Sequence, residues 1–200
     1  MFNIAVFASG RGSNFRALFD SLQKESVEAR IVLLISNNSN AGAMEFARSV
    51  EIRTLHASQK IISSQTEFAS AMLSALRESN IDLIVLAGYM KKLAPEIVAA
   101  YRGRIINIHP ALLPEFGGPG MYGHHVHEAV LRARKKNSGA TVHYVDEEFD
   151  HGNIILQERV SVLENDTPEL LAERVLEVEH RILPMAVKQI ADAHLHHNQG

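Results

Sequence analysis

The sequence contains no cysteine and no tryptophan, and none of its hydrophobic runs approaches the roughly 20 residues that a membrane-spanning helix needs. Without cysteine, the chain can form no disulfide and no cysteine-ligated zinc or iron–sulfur site, and it has no thiol nucleophile. The amino terminus lacks the basic and apolar regions of a signal peptide. We therefore expect a cytoplasmic protein that has no membrane partner.

An excess of positive charge is also absent. The 200 residues include 20 Lys and Arg against 23 Asp and Glu, which gives a formal net charge of −3. Nucleic-acid-binding domains usually carry basic patches, so we expect no nucleic-acid partner. The hydrophobic and charged fractions, 46% and 22%, are ordinary for a globular chain. Because we find no linker, repeat or low-complexity segment, we predict one domain over residues 1–200.

Short aliphatic runs that are apolar on both faces predict strands buried in a parallel sheet. These runs lie at 4–8, 31–36, 81–87 and 105–108. Helical patterns lie between the strands, at 14–22, 41–50 and 66–77. This alternation predicts an α/β fold with a Rossmann-like, mostly parallel central sheet flanked by helices, and ligands bind such sheets beyond the carboxyl ends of the strands.

The pattern changes after residue 137. Residues 140–145 and 154–162 alternate more strictly and are joined by a polar turn, so we predict an antiparallel strand pair toward the carboxyl terminus. A long C-terminal helix should follow, with its start marked by Asp166, Thr167 and Pro168. We expect Pro184 to kink or break this helix and the histidine-rich tail, 194–200, to fray.

The loop after the first predicted strand, Ser-Gly-Arg-Gly-Ser-Asn at 9–14, has the composition of a phosphate site. Its two glycines allow a sharp turn, and the N–H groups at the start of the following helix attract anions. The loop matches neither the P-loop nor the dinucleotide fingerprint. On this motif alone, phosphate binding and a plain strand–helix turn capped by Ser13 or Asn14 both remain open.

Asn107 and His109 end the fourth predicted strand, and they face the same side because strand side chains alternate. An amide can donate to a developing oxyanion, and an imidazole can supply a proton beside it. Asp150, in the turn after the next strand, could provide a carboxylate that raises the pKa of His109 and keeps it protonated near neutrality. The alternative is that these residues are only strand ends and a turn former.

Four segments resemble the phosphoribosylglycinamide formyltransferases, a family of folate-dependent enzymes. They are Ala-Ser-Gly-Arg-Gly-Ser-Asn at 8–14, Leu-Ala-Gly-Tyr-Met-Lys-Lys-Leu at 86–93, Asn-Ile-His-Pro-Ala-Leu-Leu-Pro at 107–114, and Gly-Ala-Thr-Val-His-Tyr-Val at 139–145 with Asp150 and Gly152 beyond. The resemblance implies that the formyl group of 10-formyltetrahydrofolate passes to the amine of 5-phosphoribosylglycinamide in de novo purine (IMP) biosynthesis. It implies direct attack by the amine, with neither a metal nor a covalent intermediate.

The resemblance also implies roles for individual residues. Residues 1–100 would form the half that binds phosphate and ribonucleotide, and residues 101–200 the catalytic and folate-binding half. The catalytic residues would be Asn107, His109 and Asp150. The ribonucleotide and its phosphate would be held by Gly12, Ser13, Asn14 and Glu179. The folate would contact two loops and the catalytic strand, at Met90, Lys91, Lys92, Leu93, Asn107, Asp146, Glu147, Glu148, Phe149 and Asp150.

Two other function classes remain open. A formyltetrahydrofolate deformylase would use the same catalytic residues with water as the acceptor, but such enzymes usually carry an extra N-terminal domain, which we do not expect here. A non-catalytic module could bind a phosphate ligand on the same fold. His124, His125 and His127 could offer metal ligands, yet we favour substrate contacts or a helix start and predict no metal. We expect a monomer or a homodimer.

Overall fold

The computed structural model of the protein describes residues 1–24, 27–62, 64–148 and 150–197. The described residues form seven strands and six helices. In chain order they are β1 (Phe2–Phe7), α1 (Ser13–Lys24), β2 (Ala29–Ser36), α2 (Gly42–Ser49), β3 (Arg53–His56), α3 (Gln65–Glu78), β4 (Leu83–Leu86), α4 (Pro95–Ala100), β5 (Ile105–His109), α5 (His124–Arg132), β6 (Asn137–Tyr144), β7 (Ile154–Ser161) and α6 (Pro168–His197).

The strands form one mixed sheet in the order β3-β2-β1-β4-β5-β6-β7. Strands β1 to β5 run parallel, whereas β6 pairs antiparallel with β5 and β7 pairs antiparallel with β6. The predicted Rossmann-like fold with its antiparallel pair and long C-terminal helix is confirmed. From β1 the chain passes to β2 and β3 on one side of the sheet, and it later returns to β4 on the other side of β1. The loops that follow β1 and β4 therefore diverge, which leaves a crevice at the carboxyl ends of these two strands.

Helices cover both faces of the sheet. Alternate side chains of β1 point to opposite faces, so Ile4 and Val6 pack in the layer that includes α1, α2 and α6, while Ala5 and Phe7 pack in the layer of α3 and α4. This two-sided burial is the reason that the central strands are apolar at successive positions. The crevice is therefore held on a rigid, buried scaffold.

The predicted elements agree with the observed ones to within a few residues, but two short elements escaped prediction. β3 has only four residues, none of them fully buried, so its sequence shows no apolar run. α4 has six residues and begins at Pro95 in its first turn, which is too short for a helical period to be visible. Both elements owe their structure to packing against neighbours and not to a strong local pattern.

The sequence predicted that Pro184 kinks or breaks α6, and the break does not occur. The helix continues from Pro168 to His197 with Pro184 inside it. A proline within a helix costs about 3 kcal/mol because it removes one hydrogen bond and crowds the preceding turn. Here its neighbours Leu183 and Ala186 are fully buried, and the burial of that face outweighs the local cost. No helix among the described residues, α6 included, is long and apolar enough to cross a membrane.

The prediction that the tail frays is wrong for residues 194–197, which belong to α6. The ring of His194 packs against Phe2 of β1, with 5.1 Å between the ring centroids. This contact joins the end of the chain to its first strand, a long-range pairing that no local pattern reveals. Residues 198–200 lie outside the described part of the chain.

Candidate active site

A cavity of about 800 Å³ opens at the carboxyl ends of β1, β4 and β5, in the crevice left by the strand order. Most of the predicted site residues line it. They are Ser13, Asn14, Met90, Lys91, Lys92, Leu93, Asn107, His109, Asp146, Glu147, Glu148, Asp150 and Glu179. Gly12 is not part of the wall, and Phe149 lies outside the described residues. Segments that are far apart in the sequence therefore meet in one cavity of a size that suits small organic ligands.

The register between β5 and β6 adds a residue that sequence reasoning missed. Asn107 lies directly opposite His143, and His109 lies opposite Thr141. Opposed residues on antiparallel strands lie close enough for side-chain contact, and His143 is buried at the cavity wall. The alternating pattern of residues 140–145 by itself gives His143 no role beyond that of an ordinary strand residue. The signal that could have found it is the pairing register, which a single strand does not contain.

His143 links the amide of Asn107 to the carboxylate of Asp150. Its Nδ1 lies 2.8 Å from the backbone oxygen of Tyr144, so Nδ1 carries a hydrogen and donates it. In the neutral ring, Nε2 then accepts a hydrogen bond from Nδ2 of Asn107, at 3.1 Å. The same Nε2 lies 3.5 Å from Oδ1 of Asp150. The contact with Tyr144 thus sets the tautomer of His143 and, through it, which atom of the Asn107 side chain faces the imidazole.

His109 is buried and has two polar neighbours. Its Nε2 donates to the backbone oxygen of Phe116 at 2.8 Å, and its Nδ1 lies 3.8 Å from Oδ2 of Asp150, an ion-pair distance that is too long for a hydrogen bond. Burial lowers the pKa of His109, and this effect outweighs the opposing influence of Asp150 and the Phe116 carbonyl. The sequence predicted a raised pKa because it shows the neighbouring charge but not the desolvation.

Asp150 is held in place by the backbone. Its φ of 57° is in the left-handed region, which aspartate tolerates better than most side chains, and the Gly118 N–H donates to Oδ2 at 2.9 Å. Burial raises the pKa of Asp150, but the neighbouring imidazoles of His143 and His109 and the Gly118 amide together lower it below its ordinary value. Asp150 is therefore an anion at neutral pH, in contact with both imidazoles.

Thr141 fixes the segment that follows His109. Its hydroxyl donates to the Ala111 carbonyl at 2.6 Å and accepts from the Leu113 N–H at 3.2 Å. The side chain of Gln157, from β7, donates both to this hydroxyl and to the Leu113 carbonyl. Thr141 lies opposite His109 in the sheet. These hydrogen bonds therefore attach the backbone of the segment after His109 to strands β6 and β7.

The loop after β1 forms the other end of the cavity. Gly12 adopts a φ of 76°, and a Cβ atom there would lie 2.7 Å from Cβ of Ala43, so only glycine fits. Its role in the structure is to let the chain turn closely past α2 and begin α1 at Ser13. Ser13 and Asn14 then line the cavity from the first turn of α1, where backbone N–H groups favour an anion.

Asn14 meets Glu179 of α6 at this end of the cavity. Its Nδ2 donates to Oε2 of Glu179 at 2.5 Å, and its buried Oδ1 has no hydrogen-bond partner among the described residues. Burial raises the pKa of Glu179 to about 7, against the opposing effect of the Asn14 hydrogen bond. A carboxyl with this pKa is partly protonated near neutral pH, and the protonated form can donate to an acceptor such as a ligand oxygen.

The raised pKa of Glu179 predicts a pH-dependent stability. The pKa of about 7 in the folded protein exceeds the ordinary value of 4.5. The contribution of the protonated carboxyl to the free energy of unfolding is therefore fully present below pH 4.5 and is lost as the pH rises through 7. Glu179→Gln removes this titration and keeps a hydrogen-bond acceptor. We expect the free energy of unfolding of the wild type, relative to this variant, to fall by about 2 to 3 kcal/mol between about pH 5 and pH 8, measured by denaturant titration. A difference that does not change with pH would contradict this assignment.

The remaining predicted folate residues lie in two loops, one after β4 and one after β6. Met90 is 54% exposed, whereas Leu93 is buried in the layer of α3 and α4. In the second loop, the side chain of Asp146 accepts from the Glu148 N–H at 2.9 Å. Glu147 forms an ion pair with Arg102 just beyond α4, which ties the second loop to the scaffold.

The three histidines at the start of α5 are engaged with acidic groups or buried. Nε2 of His124 lies 3.2 Å from Glu128 and 3.6 Å from Glu169, and Nδ1 of His125 lies 3.7 Å from Glu128. His127 is buried, which lowers its pKa to about 4 together with the charges of His124 and His109. Within the described ranges, no group of three or more His, Cys, Asp or Glu side chains is arranged to hold a metal ion.

A model of the formyl transferase family matches residues 2–187, which is nearly the whole chain. The chain belongs to the formyl transferase family. The expectation drawn from its four motifs is confirmed. The motifs at 8–14, 86–93, 107–114 and 139–145 all lie within the matched residues, and each contributes residues to the cavity wall.

Individual relatives agree with this assignment. The chain is 45% identical over 190 residues to the chloroplastic phosphoribosylglycinamide formyltransferase of Arabidopsis thaliana, covering 94% of this chain and 65% of that protein. It is 39% identical to the Bacillus subtilis (strain 168) phosphoribosylglycinamide formyltransferase, covering 95% of each chain. The crystal structure of glycinamide ribonucleotide transformylase 1 from Symbiobacterium toebii superposes with a TM-score of 0.90 at 37% identity, covering 96% of this chain and 89% of that one. The chain thus spans just under two thirds of the plant protein.

Proposed function

We propose that this protein transfers the formyl group of 10-formyltetrahydrofolate to the amine of 5-phosphoribosylglycinamide, a step of de novo purine (IMP) biosynthesis. The observation that supports this best is the cluster of Asn107, His143, Asp150 and His109 in the wall of the cavity, in which Asn107 is hydrogen-bonded to His143 and Asp150 lies 3.5 Å and 3.8 Å from the two imidazoles. An amide donor, an imidazole and an anionic carboxylate are the groups that acyl transfer to an amine requires. The named relatives support the choice of substrates.

The ribonucleotide would bind at the end of the cavity formed by the loop after β1. Its phosphate would meet the first turn of α1 at Ser13 and Asn14, with Gly12 permitting the close turn that exposes these N–H groups. Glu179, buried beside Asn14, would hold a ribose hydroxyl. A buried carboxyl can exchange its hydrogen bond with Asn14 for one with a hydroxyl, so it orients a neutral sugar without repelling it.

The formylfolate would bind between the loop at 90–93 and the loop at 146–150. Met90 and Leu93 offer apolar surface, and the backbone of 90–93 offers donors and acceptors for a pterin ring. Lys91 and Lys92 are exposed at the rim, where they would attract the carboxylates of the folate tail. Phe149, which the sequence also assigned to folate binding, stays a prediction. Residues of both sequence halves meet in the cavity, and the division of labour at residue 100 also stays a prediction.

In the proposed reaction, the substrate amine attacks the formyl carbon. A C–N bond forms, the carbonyl π electrons move to oxygen, and the tetrahedral intermediate collapses by breaking the bond to N10 of the folate. The second N–H of Asn107 would donate to the oxyanion, since the first is held by His143. The proton that the amine loses ends on N10, so the net charge balances and the chemistry needs neither a metal nor a thiol.

Asp150 and His109 would carry that proton. Asp150 is an anion, and His109 is neutral in the free protein because burial lowers its pKa. The negative charge that develops on the formyl oxygen favours the protonated imidazole, so the pKa of His109 should rise during the reaction. His109 can then accept the amine proton, with Asp150 stabilising the imidazolium at 3.8 Å, and return it to the leaving nitrogen.

One assay tests this function directly. Mixed with 10-formyltetrahydrofolate alone, the protein should form tetrahydrofolate no faster than the buffer does, and adding 5-phosphoribosylglycinamide should start turnover at the order of 1 to 10³ s⁻¹ that is common for enzymes. The measurement is the absorbance change of folate deformylation, with formylglycinamide ribonucleotide confirmed by mass spectrometry.

The same assay separates the two alternatives. Turnover without the amine would indicate a deformylase, in which water takes the place of the amine at the same cluster. No turnover, together with binding of the ribonucleotide, would indicate a non-catalytic phosphate-binding module. A cytoplasmic location, a monomeric or homodimeric state, and the absence of nucleic-acid and membrane partners stay predictions from the sequence.

A further inference from the structure

Ser9 occupies a junction between three loops at the carboxyl edge of the sheet. It follows β1, whose neighbours in the sheet are β2 and β4. Its hydroxyl donates to Oδ1 of Asn37, just after β2, at 2.6 Å. The same hydroxyl accepts from the backbone N–H of Met90, after β4, at 2.8 Å. One side chain therefore joins the loops of three adjacent strands, and its donor and acceptor are both in use.

Ser9 is not part of the cavity wall, whereas Met90 is. The segment 88–90 is attached to the end of β1 at three points. The Ser9 N–H donates to the Gly88 carbonyl at 3.0 Å, the ring of Tyr89 packs edge-on against Phe7 with 5.3 Å between centroids, and the Met90 N–H meets the Ser9 hydroxyl. Of these attachments, only the last depends on the identity of residue 9, because the first uses backbone atoms and the second uses other side chains.

We propose that Ser9 is a positioning residue for the formyl donor, an inference that rests on the function proposed above. The Ser9 hydroxyl, oriented by Asn37, fixes the position of the 90–93 backbone, against which the formylfolate binds. Asn37 matters because a hydroxyl that donates to it presents its lone pairs in a fixed direction, toward the Met90 N–H. Ser9 touches neither ligand. It links the loop assigned to the ribonucleotide with the loop assigned to the folate.

The test is Ser9→Ala, with Ser39→Ala as the matched control. Ser39 lies in the neighbouring loop after β2 and is exposed, and its hydroxyl donates to the side chain of Asn40 and not to the 90–93 loop. Isothermal titration with 10-formyltetrahydrofolate should show a Kd about five- to tenfold higher in Ser9→Ala, the usual size of one or two lost hydrogen bonds, and no change in Ser39→Ala. The Kd for 5-phosphoribosylglycinamide should stay within about twofold, because the backbone bond from residue 9 to Gly88 is retained.

Two further readouts distinguish positioning from general destabilisation. The KM for the formylfolate should rise while the KM for the ribonucleotide does not, and amide hydrogen exchange of Met90 should accelerate while exchange in β1 and β4 does not. Should Ser9→Ala fold poorly, Asn37→Ala removes the group that orients the hydroxyl and should change the same quantities in the same direction.

The proposal is overturned if Ser9→Ala binds the formylfolate as the wild type does, or if both Kd values rise by the same factor. The first result would show that the 90–93 loop is positioned without the hydroxyl, and the second would show that the hydroxyl supports the whole site and not the folate loop in particular. If the wild type itself binds no formylfolate, the proposed function falls and the Ser9 proposal falls with it. Normal wild-type binding with an unchanged Ser9→Ala variant overturns only the role of Ser9.

Discussion

His109→Ala is expected to lower kcat by about a thousandfold while the variant keeps its fold and both ligand affinities. His109 sits at the end of β5, and its proposed tasks, stabilising the oxyanion and carrying the amine proton, exist only during the reaction. A residue that acts only in the transition state affects kcat and leaves ground-state binding nearly unchanged. The measurement is steady-state kinetics with both substrates varied, together with titration of each ligand.

His56→Ala is the matched control for this variant. His56 ends β3, at an edge of the sheet away from the cavity, and is not among the lining residues. Its replacement should leave kcat within about twofold, since surface substitutions away from a site have small effects. Wild-type turnover in His109→Ala would remove the imidazole from the mechanism. Loss of ligand binding in that variant would instead assign His109 a binding role.

Asp150→Asn is expected to lower kcat by about a hundredfold or more, with folding unaffected. Asparagine has the shape of aspartate, accepts the φ of 57° and can still accept from the Gly118 N–H, so the change removes the negative charge and little else. Because the Asp150 charge raises the pKa of His109, its removal should lower that pKa further. Steady-state kinetics and an NMR titration of the His109 ring measure the two effects.

The double variant of Asp150→Asn and His109→Ala tests whether the two residues act together. If they carry the same proton, the losses should not add, and the double variant should be about as slow as the worse single one. Asp20→Asn, on the exposed side of α1, controls for the loss of a carboxylate elsewhere. Additive losses, or an Asp150→Asn variant as active as the wild type, would show that Asp150 does not serve His109.

Much of the fold could be predicted because the signals are local. The central strands are apolar on both faces, and that composition indicates a parallel sheet between two helical layers without reference to any other part of the chain. β3 and α4 escaped because four or six residues carry too little periodicity. The break that the sequence allowed at Pro184 does not occur, because the cost of a proline is local, whereas the burial of Leu183 and Ala186 that offsets it comes from distant elements.

The same division applies to the candidate site. The alternation of side chains along a single strand was enough to predict that Asn107 and His109 face the same side. The glycines at 9–14 and the helix that follows were enough to predict a sharp turn that could bind phosphate. The contact between Asn14 and Glu179 spans α1 and α6, and only the resemblance to a known family suggested it in advance. His143 could not be found at all, because its place beside Asn107 depends on how β6 pairs with β5.

The sequence by itself therefore determined the kind of sheet, the family, and most of the groups that reach the cavity, since short contiguous segments contain the signal for each of these. The tertiary structure decided what those groups experience. Burial lowers the pKa of His109 despite the nearby Asp150, and it raises that of Glu179 to about 7. Desolvation depends on every atom packed around a side chain, and strand register depends on two segments at once, so neither can be read from one stretch of sequence.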